Sequence, residues 1–131
     1  MKKLPAYNLQ EMLIVLAIIG ILLLLAMPSF MPLITKAKSI EAQVHLKAIY
    51  NSQKSHYFIY SNYSNSLNAL DYEIPLSADQ GGVANYRYSI TSVSKNNFKA
   101  QAEAIVDFDG DGVFNIWEID SSGRPIQVQK D

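Results

Sequence analysis

The sequence predicts an α+β chain: a long bent N-terminal helix packed on a small three- to four-stranded antiparallel sheet. Three observations predict it. No charged residue stands between Glu11 and Lys36. From Ser39 the apolar residues recur at three- and four-residue spacing, as on one face of a helix. Beyond Gly82 they alternate instead, as in half-buried strands.

The helix comes first. Met12 to Ile34 is 23 residues interrupted only by Gly20, Pro28, Ser29 and Pro32. A bilayer core takes roughly 20 apolar residues as helix. The run is apolar on all faces, whereas a surface helix would carry one stripe. A buried core helix would need more protein around it than this chain supplies. An ordinary secretory signal would need an Ala-x-Ala-like cut before the prolines, and Glu11 stands at the mouth of the run. Lys2 and Lys3 favour a cytoplasmic N-terminus, with the remainder carried across the membrane. Pro28 and Pro32 lack the backbone donor, so the carbonyls of Leu24 and Pro28 lose their partners and the helix should bend or loosen.

The amphipathic half follows. Leu46, Ile49, Tyr50, Gln53, Tyr57 and Tyr60 make a stripe suited to a sheet, with Lys36, Lys38, Glu41, Lys47 and Lys54 largely off it. From Asn8 to Ser61 the helix would measure roughly 80 Å at 1.5 Å per residue. His45 and His56 are expected on the surface. Residues 62–82 read as loop, with Pro75 and Gly81-Gly82 as breakers. Tyr86 to Ile90, Phe98 to Ala104 and Phe114 to Ile119 read as strands, and Ile126 and Val128 as a short edge strand. The eight Tyr and Trp117 are read as packing groups.

Composition excludes several functions. Eleven Lys plus Arg balance twelve Asp plus Glu, which argues against nucleic acid as a direct partner. Without cysteine there is no disulfide, thiolate metal site or cysteine nucleophile. No nucleophile elbow or phosphate-binding glycine loop is present, and the chain is read as no enzyme.

Ala6-Tyr7-Asn8-Leu9-Gln10-Glu11 and the apolar run ending at Pro28 resemble the class III signal of type IV pilins and type II secretion pseudopilins. Residues 2 to about 48 carry the resemblance. Ala6 stands where that family usually has Gly, Tyr7 where it has Phe, and Gln10 where it has an aliphatic residue. The resemblance implies removal of a basic leader, residues 1–6, by a prepilin peptidase that also methylates the new N-terminus at Tyr7. It implies a membrane and filament-core segment over 7–35, an amphipathic half over 36–61, and a loop-and-sheet body over 62–131. Glu11 of one subunit would pair with the Tyr7 amine of the next, because an unpaired carboxylate in an apolar filament core is costly. Pro28 matches the family's helix-bending proline.

The segment DFDGDGVFNIWE fits a calcium loop, with carboxylates at positions one, three and five, Gly at six and Glu at twelve. The ligands would be Asp107, Asp109, Asp111, the Val113 carbonyl, Asn115 and Glu118. The flanks read as strands, so Glu118 could point away, with Asp120 as its substitute. The competing reading is an acidic, glycine-rich turn with Asx bonds. The resulting expectation is a filament-forming structural subunit, a type II secretion pseudopilin supporting protein export. It would be anchored in the inner membrane with its body in the periplasm. Its partners would be copies of itself, the assembly platform, the peptidase and minor pseudopilins. The alternatives are a type IV pilus subunit for adhesion, motility or DNA uptake, and a monomeric membrane-anchored calcium-binding module.

Overall fold

Leu, Ala and Met, good helix formers, alternate with Ile through the run from Met12 to Ile34, and the strong helix breakers within it are Gly20, Pro28 and Pro32. In the computed structural model, which describes residues 5–131, helix α1 runs from Leu9 to Tyr60, 52 residues. The basic residues Lys2 and Lys3 of the expected leader lie outside the described residues. Helix α1 passes through Pro28 and Pro32 without a break in its assignment. It ends where Ser61 turns left-handed, at φ 57°. The chain forms two units, Met1–Leu33 and Ile34–Asp131.

In the first unit, every described residue is exposed except the half-buried Ala26. The helix is long and apolar enough to cross a membrane, and none of its apolar window is buried by the chain itself.

In the second unit, α1 buries Ser39, Ala42, Leu46, Ile49 and Gln53. These recur at three- and four-residue spacing, so they share one face. That face packs on a four-stranded antiparallel meander of β1 (Tyr86–Val93), β2 (Phe98–Ala104), β3 (Ile116–Asp120) and β4 (Ile126–Gln129). The register sets Tyr88 opposite Ala102 and Ala102 opposite Trp117. Large side chains on β1 thus face small ones on β2, which lets the two rows interdigitate beneath the helix. The core joins Leu46 and Ile49 to Tyr86, Phe98, Ala100, Ala102 and Ile119, with Tyr63 and Leu70 from the intervening loop. Two single-turn 3-10 helices, Leu67–Ala69 and Ala78–Gln80, punctuate that loop.

Three expectations differ from the structure. Tyr60 is exposed, because the returning chain seats Tyr63 and Ser64 against Tyr57 and Gln53 and leaves the last helical turn uncovered. Phe114 precedes β3, because Asn115 is drawn into the core by the Tyr86 hydroxyl. His45 and His56 are half-buried. His45 Nδ1 lies 2.5 Å from the Tyr72 hydroxyl and its ring stands edge-on to Tyr88. His56 Nδ1 is bonded to the Asn62 carbonyl at 2.9 Å.

Candidate functional site

Two places carry the residues singled out in the sequence. The first is the head of α1. The first amides of a helix have no partner inside it, so a side chain must supply one. Asn8 is that residue: its Oδ1 accepts from the Glu11 amide at 2.9 Å, and Glu11 Oε2 accepts from the Asn8 amide at 3.1 Å. This is a reciprocal capping box, and it fixes the Glu11 carboxylate against its own helix start. The pattern Asn8-x-x-Glu11 ahead of an apolar run is a capping signature in the residues themselves, separate from the intersubunit pairing expected of Glu11. Ala6 and Tyr7 are exposed just before the cap, and Pro28 is exposed farther along.

The second place is the loop between β2 and β3. Gly110 and Gly112 take φ +82° and +88°, conformations that side chains rarely adopt. With those turns in place, Asp107 Oδ1 accepts from the Gly110 amide at 2.7 Å and Oδ2 from Gly112 at 2.5 Å. The Gly112 amide, followed by that of Gly110, holds the Asp107 carboxyl below its usual value. Asp109 goes the other way. The Asp111 amide lowers it, but desolvation and the charges of Asp111, Asp131 and Asp107 outweigh that and raise it.

Asp107, Asp109, Asp111 and Asp131 each offer one oxygen, all within 4.8 Å of one another. This surface cluster can in principle hold a divalent cation, since hard oxygen ligands suit one. Asp131 is the member that the sequence reading missed. Its Oδ2 accepts from the Phe108 amide at 2.8 Å and its Oδ1 from Asp109 at 3.2 Å. No local motif links positions 107 and 131; only the β3–β4 pairing brings them together.

Glu118 and Asn115, also expected as ligands, have other partners, and Val113 stays beside the cluster through its amide. Glu118 sits within β3 opposite Gln101 and Ile126, its Oε2 3.9 Å from Lys99 Nζ. Asp120 accepts from the Ser122 amide at 2.8 Å. Asn115 is fully buried, with its Oδ1 taking the Tyr86 hydroxyl at 3.0 Å. Val113 donates its amide to Asp111 at 2.7 Å. Phe108 ties the loop to the body: its ring stands edge-on to Tyr86, and Lys38 Nζ lies 4.4 Å above it.

Helix-borne polar groups also brace the body. Glu41 accepts from the Asn85 amide at 2.9 Å and from its Nδ2 at 2.7 Å. Gln53 exchanges two hydrogen bonds with the Ser64 backbone, at 2.8 and 2.9 Å. Lys47 Nζ donates to the Gly123 carbonyl at 2.7 Å.

A long N-terminal helix, uncovered over its apolar head and laid by its other half on a four-stranded antiparallel sheet, is the pilin-like α+β fold. No protein-family model matches the chain. It is similar to the type IV major pilin protein PilA of Myxococcus xanthus (strain DK1622), with 39% identity over 83 residues. The match takes in 63% of this chain and 36% of that pilin, so it spans about a third of the relative's length. The chain thus has a pilin-like fold and is similar to that pilin at moderate identity over part of its length.

Proposed function

We propose that the chain is a structural subunit of a type IV pilus, assembled through the head of α1. The observation that carries this reading is the unlike fate of the two halves of one helix. Residues 34–60 pack on a sheet of their own chain, while the charge-free run before them is left uncovered. Lipid covers such a run in a lone subunit, and copies of the same run cover it in a filament. Identity to a major pilin supports the pilus over the secretion pseudopilus favoured by the sequence alone. The acidic cluster supports the second reading, a type II secretion pseudopilin, because major pseudopilins commonly carry calcium in a C-terminal loop.

In this reading a prepilin peptidase cuts after Ala6 and methylates Tyr7. Lys2 and Lys3 keep the head cytoplasmic, and the body faces the periplasm before assembly. The capping box already satisfies Glu11 Oε2, so the second oxygen can meet a neighbour's amine. Pro28 and Pro32 let the helix loosen when lipid contacts give way to protein ones. Asp107, Asp109, Asp111 and Asp131 bind Ca²⁺, with the Val113 carbonyl, Asn115 and Glu118 in outer roles at most. The subunit is structural and needs no catalytic group.

The experiment is imaging of surface filaments in a deletion strain complemented with wild type or Glu11→Ala, with secreted protein measured in parallel. Filaments with wild type and none with Glu11→Ala are expected, at unchanged membrane levels of the variant. Loss of secretion without any surface filament would favour the pseudopilus instead. Mass spectrometry of the mature chain tests the start at Tyr7, and an uncut N-terminus would sink the processing step.

A further inference from the structure

Where α1 ends against the far end of β1, the body has an open cleft of about 650 Å³ with no part in the pilin reading. That volume lies in the range of small-ligand sites. Among the described residues, none of its lining groups is an acid, a lysine or an arginine. A charged ligand would therefore find no compensating charge there.

The polar groups it does offer are two-sided. Asn62 and Asn65 are exposed, and each amide carries both donors and an acceptor. The Ser92 hydroxyl can do either. His56 adds a ring nitrogen: Nδ1 faces the Asn62 carbonyl at 2.9 Å and donates to it, which leaves Nε2 toward other partners. Ile90 and Val93 supply an apolar strip. The exposed Tyr60, outside the lining, packs its ring on His56 at a tilt of 42°, with 4.6 Å between centroids.

Two backbone irregularities shape this place. Ser61, beside Asn62, is the non-glycine residue with positive φ among the described residues. The β1–β2 register slips between Ile90 and Ser92, which re-aims the strand where it walls the cleft. Strained residues and bulges concentrate where a fold presents side chains to a ligand.

Vicinal hydroxyls need groups that donate and accept in one plane, and the C–H face of a sugar ring needs an apolar or aromatic wall. We propose that this cleft binds a neutral saccharide, with Asn62 and Asn65 reading its hydroxyls and His56 with Ile90 and Val93 walling its ring. The proposal does not depend on polymerisation.

The test is an amide NMR titration of the full chain in detergent micelles. The probes are glucose, galactose, N-acetylglucosamine and their neutral disaccharides, with inorganic phosphate and sialic acid as charged controls. At least one neutral sugar is expected to shift amides within 56–65 and 90–93 in a saturable manner, and the charged controls are not. Asn62→Ala and Asn65→Ala should each weaken that binding roughly ten-fold, the loss of one amide's hydrogen bonds. Amide shifts elsewhere in the body should stay as in wild type. The absence of saturable shifts with every neutral sugar overturns the proposal. So does binding that survives both substitutions, or shifts produced by the charged controls instead.

Discussion

The two units of this chain solve the same physical problem in different ways. From Ile34 to Asp131 a core is covered from within: Leu46, Ile49, Tyr86, Phe98 and Ile119 are all but inaccessible. Up to Leu33 the residues are at least as apolar, yet Leu16, Leu24 and Leu25 are 67–72% exposed. Burial contributes about 25 cal/mol per Å² wherever it occurs. The body gains it on folding; in the proposed reading the head gains it from lipid or from other copies. The same residue type therefore has different consequences in the two places. In the body a leucine stabilises the fold; in the head, on the proposed reading, it would stabilise membrane residence or assembly.

The comparison breaks most readily with a matched pair of leucines. Leu46→Ala should destabilise the body by about 2–5 kcal/mol, the range for a truncated core leucine. Leu22→Ala, in the exposed run, should leave body unfolding within about 0.5 kcal/mol of wild type. Denaturant unfolding of the full chain in micelles, followed by Trp117 fluorescence, measures both. Equal effects would mean that the head is part of the folded core.

Polar groups sharpen the contrast at the next level. Gln53 is fully buried and satisfies both the amide and the carbonyl of Ser64. Gln53→Ala strands both backbone groups without water and should cost about 1–3 kcal/mol by the same unfolding assay. Gln53→Glu keeps the amide's acceptor but loses the donor, and should fall between. Gly123 is a smaller case. It takes φ +78°, and an added Cβ would sit 2.8 Å from the Tyr50 ring. Gly123→Ala should cost about 1–2 kcal/mol, mostly backbone strain with a shift of Tyr50. A retained wild-type midpoint would show that the β3–β4 turn gives way freely.

Much of this was legible in the residues. The helix limits fell within one residue of Leu9 and Tyr60, because the uncharged run and the amphipathic stripe join without a breaker other than proline. The β2 limits, Phe98 and Ala104, were read directly from strict alternation with Lys99, Gln101 and Glu103. What escaped were contacts between residues distant in sequence. Asp131 reaches the 107–111 loop only because β4 pairs with β3, and a short exposed edge strand carries little pattern. Glu41 looked like a solvated charge, yet it anchors Asn85 across 44 positions. Glu118 suited a calcium ligand by spacing alone, and the alternation of β3 set it beside Lys99 instead.

The smallest expected effect is local to the acidic loop, and it separates a cation site from a turn. Asp107 has a depressed pKa, caused first by the Gly112 amide, so its contribution to loop order is present above the ordinary carboxylate value. That contribution is lost as pH falls through the lowered value. Asp109 is raised on balance by desolvation and by three neighbouring carboxylates, despite the Asp111 amide. Its share has the opposite sign: it is present in acid and lost as pH rises through the raised value. Above both values the loop therefore holds Asp107 well bonded and Asp109 ionised against repulsion. A divalent cation acts on the second term, because its charge reverses the repulsion among Asp109, Asp111 and Asp131. Amide shifts of Gly110 and Gly112 followed against pH report Asp107, and that of Asp111, bonded to Asp109 Oδ1 at 3.1 Å, reports Asp109. Calcium should move the Asp109 transition to lower pH, with the core amides of β2 unchanged. An Asp131→Asn chain should lower that transition without calcium and bind the ion more weakly. If calcium leaves the Asp109 transition where it was, the loop is a glycine-rich turn whose carboxylates serve only their own backbone.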